Sequence, residues 1–226
     1  MNPFQHSIKN KLLAQMSPSD FALLAPDLSH CELYRGDVLV FPGQRIEHSW
    51  FLEGGIASLV TTSREGHEAE AAIIGAEGMV DVATVLGSVK SPLRCNVQIP
   101  GSAWRMPAQA LAAAYQSSES LRAELNRFAF KLMAQIAQTA LANASFTIEE
   151  RLARWLLLCS DRLPGQEIAI THEFLSLMLN VRRAGVTMAI QSLQNSGFIE
   201  SGRARIRITN RSGLEEFAGD AYSVMA

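Results

Sequence analysis

Six arginines between positions 182 and 211 carry the most chemical potential in this chain: Arg182, Arg183, Arg203, Arg205, Arg207 and Arg211. Glu200 is the one acid in that span, so six charges less one give +5 on a 226-residue chain whose total is −2. Clustered positive charge is the footprint of a phosphate-backbone partner, and a guanidinium grips a phosphate or a guanine edge through two hydrogen bonds. A solvated hairpin accounts for Arg203, Arg205 and Arg207 but not for Arg182 and Arg183, which open a helix. Other groups offer less. Glu149 and Glu150 diverge by about 100° on a helix, so they complement its dipole instead of converging on a substrate. Cys31, Cys95 and Cys159 lie far apart, with no C-x-x-C spacing, and read as reduced thiols. The histidines (His6, His30, His48, His67 and His172) form no i, i+4 pair and no H-E-x-x-H, so no metal site is encoded. His48 and His67 read as turn histidines rather than haem ligands. G-x-S-x-G, the phosphate loop and the dinucleotide glycine fingerprint are all missing, which argues against an enzyme.

The arginines need a scaffold, and the segments upstream of them supply one. Thr171 is placed to cap a helix carrying Leu175, Met178 and Leu179, and Asn180 tolerates the left-handed conformation of a tight turn. A second helix over 182–196 buries Val186, Ile190 and Leu193 and stops before Gly197. Strand-like pieces at 198–200 and 205–209 follow. Helix, tight turn, helix and β-hairpin is the order of a winged helix-turn-helix. Before it, Ile148 to Leu158 reads as a helix ending near Leu163-Pro164-Gly165, and 167–170 as a short strand.

From Leu33 to Met106 the pattern is short runs rich in Val, Ile and aromatics: 38–41, 50–52, 56–62, 71–74 and 95–99. Arg35-Gly36-Asp37, Pro42-Gly43, Gly54-Gly55, Glu65-Gly66 and Pro100-Gly101 separate them, as in an all-β barrel or jelly roll. Ser17 and Pro18 open a short helix ahead of this region. Helices at 107–115 and 119–143 follow it. In the longer one Leu121, Leu125, Phe128, Leu132 and then Gln135 or Ile136 step by four, three, four and three or four, the seam of a helix packing on a helix. Its length of about 37 Å exceeds what a small barrel needs as cover, and alanines at 134, 137, 140, 142 and 144 permit close approach, so this seam is expected to form a parallel dimer. The composition is that of a soluble globular protein, 48% hydrophobic, without the roughly 20 uninterrupted apolar residues of a membrane span. The N-terminus lacks an apolar signal core and reads as mature, so the cytoplasm is expected and no membrane partner.

This order of segments resembles the family of the catabolite activator protein and the fumarate and nitrate reduction regulator, over nearly the whole chain. Tyr34 to Gly43 (YRGDVLVFPG) and Trp50 to Ser58 (WFLEGGIAS) look like its glycine-punctuated β-roll. Ile170-Thr171 through Arg183-x-x-Val186 to Gly197-Phe198-Ile199 is similar to its DNA-binding motif. The resemblance implies an α+β fold: an N-terminal double-stranded β-helix (a cyclic-nucleotide-binding-like jelly roll), a long dimerisation helix and a C-terminal winged helix-turn-helix. The sensor with its helix would occupy 1–145 and the DNA-binding domain 146–226. The implied function is a homodimeric, sequence-specific transcriptional regulator, and RNA polymerase is an expected further partner. Two recognition helices would lie roughly 34 Å apart on a pseudo-palindromic operator in double-stranded DNA.

By the same resemblance Arg183 holds the position that reads a guanine, while the glutamate after it is Ala184 here and the arginine one turn later is Met188. Arg182, Gly185 and Thr187 lie near the same opening turn, where they would contact phosphate or a thymine methyl, and Met188, Thr171, Arg203 and Arg205 complete the expected DNA surface. The family's cyclic-nucleotide contacts map onto Asp81 and Val82, onto Arg94 and Cys95, and onto Ile136 and Ala137 of the long helix, and Arg94 alone is retained. Val82 cannot accept a bond from a ribose hydroxyl and Asp81 would oppose a cyclic phosphate, so cAMP is expected not to bind usefully. No cofactor is identifiable. The effector is an unknown molecule drawn to Arg94, or none, or oxidation of Cys95. The family's iron–sulfur sensors cluster cysteines near the N-terminus, where this chain has Cys31. The alternative from another class is a signalling adaptor that uses the β-roll and dimer helix without binding DNA.

Overall fold

Short strands broken by glycine turns pair into two four-stranded sheets, as a computed structural model of the protein shows for residues 3–163, 165 and 167–222. Pro164 of the expected helix break lies outside the described residues. The strands are β1 (Ser29–Leu33), β2 (Val38–Val40), β3 (His48–Leu52), β4 (Ile56–Thr62), β5 (Glu68–Ile74), β6 (Met79–Val80), β7 (Arg94–Ile99) and β8 (Gly101–Pro107). One sheet has the order β1-β8-β3-β6, the other β2-β7-β4-β5. Two compact units result: Met1–Thr62 with Ala72–Met133, and Ser63–Ala71 with Ala134–Ala226.

In the first unit the core is largely apolar, with Phe51, Leu52, Ile56, Met79 and Val80 at 0% exposure, and it also encloses the polar side chains of Asn10, Ser49, Ser58 and Gln98. Gly55 closes the turn between β3 and β4 at φ +79°, where a Cβ would collide with the carbonyls of Ile99 and Pro100. Helix α1 (Lys11–Gln15) was not anticipated, being too short for a periodic signal. Its cap Asn10 is buried and donates to the carbonyls of Leu52 and Gly78, each at 2.8 Å. Helix α2 (Pro18–Leu24) begins as expected, with Ser17 accepting from the Asp20 amide. Burial opposes charge on Asp20, but hydroxyls of Ser118, Ser120 and Ser17 hold its pKa below the usual carboxylate value. A single turn, α3 (Val82–Val85), and then α4 (Ala108–Ser117) complete this unit with the first half of α5 (Glu119–Ser145).

Helix α5 corrects the expected dimer seam. Leu121 and Leu125 are 0% exposed, Leu132 6% and Phe128 9%, all within one protomer. The Phe128 ring lies on Gly78, where a Cβ would overlap it. The four side chains therefore fill the protomer's own core and are not available to a partner, and Ile136 is half-buried. What α5 exposes is another stripe: Phe130 and Met133 at 59% each, Ala137, and Leu141 at 49%. Its spacing of three, four and four is again that of a helix–helix seam.

In the second unit α6 (Ile148–Arg162) starts at a capping box between Thr147 and Glu150. It is followed by α7 (His172–Met178), α8 (Arg183–Asn195), the hairpin β9 (Ile199–Gly202) and β10 (Arg205–Ile208), and an unanticipated α9 (Arg211–Ala218). The strand expected at 167–170 is reduced to a bridge between Ile168 and Ile206. Leu152, Leu156, Leu175, Val186, Leu193 and Leu214 form the core, each at 0% exposure.

Candidate nucleic-acid interface

Three local devices hold α7 and α8 at a fixed angle. Thr171 caps α7 by accepting from the Phe174 amide at 3.2 Å. Asn180 takes the left-handed conformation at φ 49°, and the Val181 amide closes on the Ser176 carbonyl at 3.0 Å. The Arg151 guanidinium of α6 donates to the Leu179 carbonyl in the same turn. Across the angle, His172 Nδ1 meets Thr187 Oγ1 at 3.2 Å, while that hydroxyl donates to the Arg183 carbonyl at 3.1 Å. Thr187 has one proton to give, so His172 is the donor of the first bond.

Helix α8 turns Val186, Ala189, Ile190 and Leu193 inward and leaves Arg182, Arg183, Ala184 and Met188 exposed. Met188 is 62% exposed, uncommon for so large an apolar side chain. Arg182 is the N-cap and Arg183 the first helical residue, so both stand where backbone N–H groups already favour an anion. Two of the expected residues have other duties. Gly185 faces α6, where a Cβ would sit 3.3 Å from Ile148 Cδ1, so it serves helix packing. The Thr187 hydroxyl is spent on His172 and Arg183.

The charge of +5 read from the sequence is unevenly available. Arg207 pairs with Glu200 at 2.5 Å and Arg205 with Glu167 at 3.5 Å. Arg211 is structural: it joins α9 to α6 through Asp161 at 2.6 Å, with Glu215 at 2.8 Å and Ser160 at 3.1 Å. Arg182, Arg183 and Arg203 make no ion pair among the described residues, so these three carry the free charge of the face.

The expected effector positions are redistributed. Asp81 caps α3 from a left-handed backbone at φ 83°, accepting from the Ser49 hydroxyl at 2.8 Å and the Thr84 amide at 3.1 Å. Burial pushes its carboxyl up to about 6, against those two bonds. Val82 is half-buried. Arg94 and Cys95 are neighbours on β7, so their side chains leave opposite faces and do not act as a pair. Cys95 is 0% exposed, and burial raises its thiol far above the usual range, which removes the thiolate that oxidation needs. The residues sharing a face with Arg94 are Asn96 and Gln98, with Ser58 opposite Asn96 on β4 and donating to Gln98 Oε1 at 2.8 Å. Asn96 Oδ1 and Gln98 Nε2 are buried without a hydrogen-bond partner among the described residues. Strand alternation alone would have pointed to them. Ile136 is half-buried and Ala137 exposed, in the part of α5 that belongs to the second unit. No group of three metal-ligating side chains occurs among the described residues, and no described helix is long and apolar enough to cross a membrane.

A β-roll followed by a helix-turn-helix with free arginines at the start of its second helix defines a regulator that binds DNA. Comparison with known proteins agrees: residues 30–118 match the model of the cyclic nucleotide-binding domain and residues 150–217 that of the Crp-like helix-turn-helix domain. The chain belongs to the Crp/Fnr family of transcriptional regulators. Its fold is shared with FixK2 from Bradyrhizobium japonicum at 16% identity and a TM-score of 0.73, over 85% of this chain and 98% of that one. A crp/fnr-family regulator from Eubacterium rectale gives 17% identity and a TM-score of 0.71, over 92% of this chain and 97% of that one. CLP from Xanthomonas campestris, described as responsive to c-di-GMP, gives 13% and 0.66, over 85% and 99%. No curated protein matches the sequence.

Proposed function

We propose that this transcriptional regulator acts in the cytoplasm as a homodimer on a pseudo-palindromic operator, with 1–145 as sensor and dimer helix and 146–226 as DNA-binding domain. The observation that carries this reading is the unequal fate of the arginines: those at the start of α8 are left unpaired, whereas Arg205, Arg207 and Arg211 each have a carboxylate partner in the fold. Arg183 takes a guanine edge, and Arg182 and Arg203 hold the phosphate backbone. The dimer forms through Phe130, Met133, Ala137 and Leu141, the apolar stripe that the protomer leaves uncovered. RNA polymerase is the further partner.

The effector is not cAMP, because Asp81 is committed to Ser49 and Thr84 and Val82 offers no acceptor to a ribose. The site instead suits a small polar molecule with an acidic group toward Arg94, a donor toward Asn96 Oδ1 and an acceptor toward Gln98 Nε2. Calorimetry with cAMP should show no micromolar binding, and a micromolar Kd overturns that part.

Fluorescence-anisotropy titrations on specific and random duplexes at several salt concentrations test the DNA reading. Arg183→Ala should cost roughly 1–3 kcal/mol on the operator and relax preference at one guanine per half-site. Arg203→Ala should weaken all duplexes alike and lower the salt slope by about one. An equal loss on all sequences for Arg183→Ala would remove it as a base reader.

A further inference from the structure

Half of the exposed opening of α8 is apolar. Ala184 and Met188 stand at i and i+4, hence on one face, and both are exposed, Met188 at 62%. Neither has the hydrogen-bonding capacity with which a side chain reads guanine, cytosine or adenine. The major-groove feature that an apolar group recognises is the C5-methyl of thymine. Charge places the occupant: the unpaired Arg182 and Arg183 adjoin this face and bring it against a polyanion, so a protein surface is not the partner that fits.

We propose that Met188, supported by Ala184, reads a thymine methyl close to the guanine taken by Arg183, so that each half-site is read partly by hydrogen bonds and partly by apolar contact. Five residues of helix separate Arg183 from Met188, a rise of about 7.5 Å, which spans about two base steps of 3.4 Å. The thymine therefore lies two to three steps from that guanine. The unbranched, three-rotor side chain of methionine adapts to the methyl and to its neighbouring sugar edge. The hydroxyl of Thr187, the residue before Met188, is held by His172 and the Arg183 carbonyl. This inference rests on the DNA reading above and names the base chemistry of that same surface.

Deoxyuridine keeps every hydrogen bond of thymine and lacks only the methyl, so it isolates the contact. The operator recovered by selection from a random pool is remade with deoxyuridine at each half-site thymine in turn, and affinities are measured for the full chain. One thymine should stand out, its replacement weakening binding about fourfold per half-site, the effect of one buried methyl-sized group. Met188→Ala should bind the unmodified operator less tightly and be indifferent to deoxyuridine at that position. Met188→Arg should shift the preference there from thymine toward guanine. If the wild-type chain tolerates deoxyuridine at every position, or Met188→Ala keeps the same penalty, the inference is overturned while the DNA reading stands. If no operator is enriched, both fall.

Discussion

Leu125 and Phe130 are five residues apart on one helix, yet their replacement should have opposite consequences. Leu125 is 0% exposed, so Leu125→Ala leaves a cavity in the protomer and costs roughly 2–5 kcal/mol. In a chain of this size each kcal/mol moves the melting midpoint by about 2–4 °C, so Tm should fall by roughly 4–20 °C. Phe130 is 59% exposed in the protomer. Full burial of such a side chain contributes roughly 1.5–3 kcal/mol, so covering the exposed part contributes about 1–2 kcal/mol per protomer and about 2–4 kcal/mol per dimer. Phe130→Ala should then weaken dimerisation roughly 30- to 700-fold. Sedimentation velocity over a dilution series reads the association, and thermal melts of the same samples read the protomer. The expected result is a lower Tm with the dimer retained for Leu125→Ala, and monomers at working concentration for Phe130→Ala. Dissociation by Leu125→Ala at unchanged Tm, or a Phe130→Ala dimer as tight as wild type, would refute the assignment of the two faces.

Asp81 links stability to pH. Its folded pKa of about 6 lies above the ordinary value of 3.8, so its contribution is complete below about pH 4 and is lost as pH rises through about 6. The loss is on the order of 3 kcal/mol, and Asp81→Asn should flatten the wild-type decline in denaturation midpoint between pH 4 and 7; parallel profiles would contradict this. Gly78→Ala drives a methyl into the Phe128 ring and should destabilise by roughly 1–3 kcal/mol, with partial recovery in a Gly78→Ala, Phe128→Leu double variant checked by chemical denaturation. Arg211→Ala breaks partly exposed pairs with Asp161 and Glu215 and should cost under about 1 kcal/mol. Its affinity for random duplex should stay near wild type, in contrast to Arg203→Ala, and competition binding of the two variants side by side checks it.

Elements with strong local signals were legible from sequence: β4, the caps of α2 and α7, the Asn180 turn and the span of α8. Those held by distant partners were not. Strand β1, SHCEL, has no apolar alternation and exists through its ladder with β8, Ser29 facing Arg105 and Leu33 facing Gly101. Helix α9 is capped by Asn210, which accepts from the Gly213 amide, and is fastened to α6 by Arg211, one of the six arginines of the +5 segment. The misplaced dimer seam has a general cause. A period of three and four says that a helix buries one face, and it does not say whether its own chain or a second copy covers it. Cys95 leaves the opposite face of β7 from Arg94, since adjacent residues on a strand point apart.

Selection of a random-sequence duplex pool by the purified full-length protein, at near-physiological salt and without added effector, tests the central claim most directly. A homodimer reading DNA through α8 should enrich a two-fold palindrome with half-site centres about 10 base pairs apart, each half containing a guanine that Arg183→Ala no longer requires. Retention of the pool without enrichment of any sequence, or enrichment of a single asymmetric site, would contradict it.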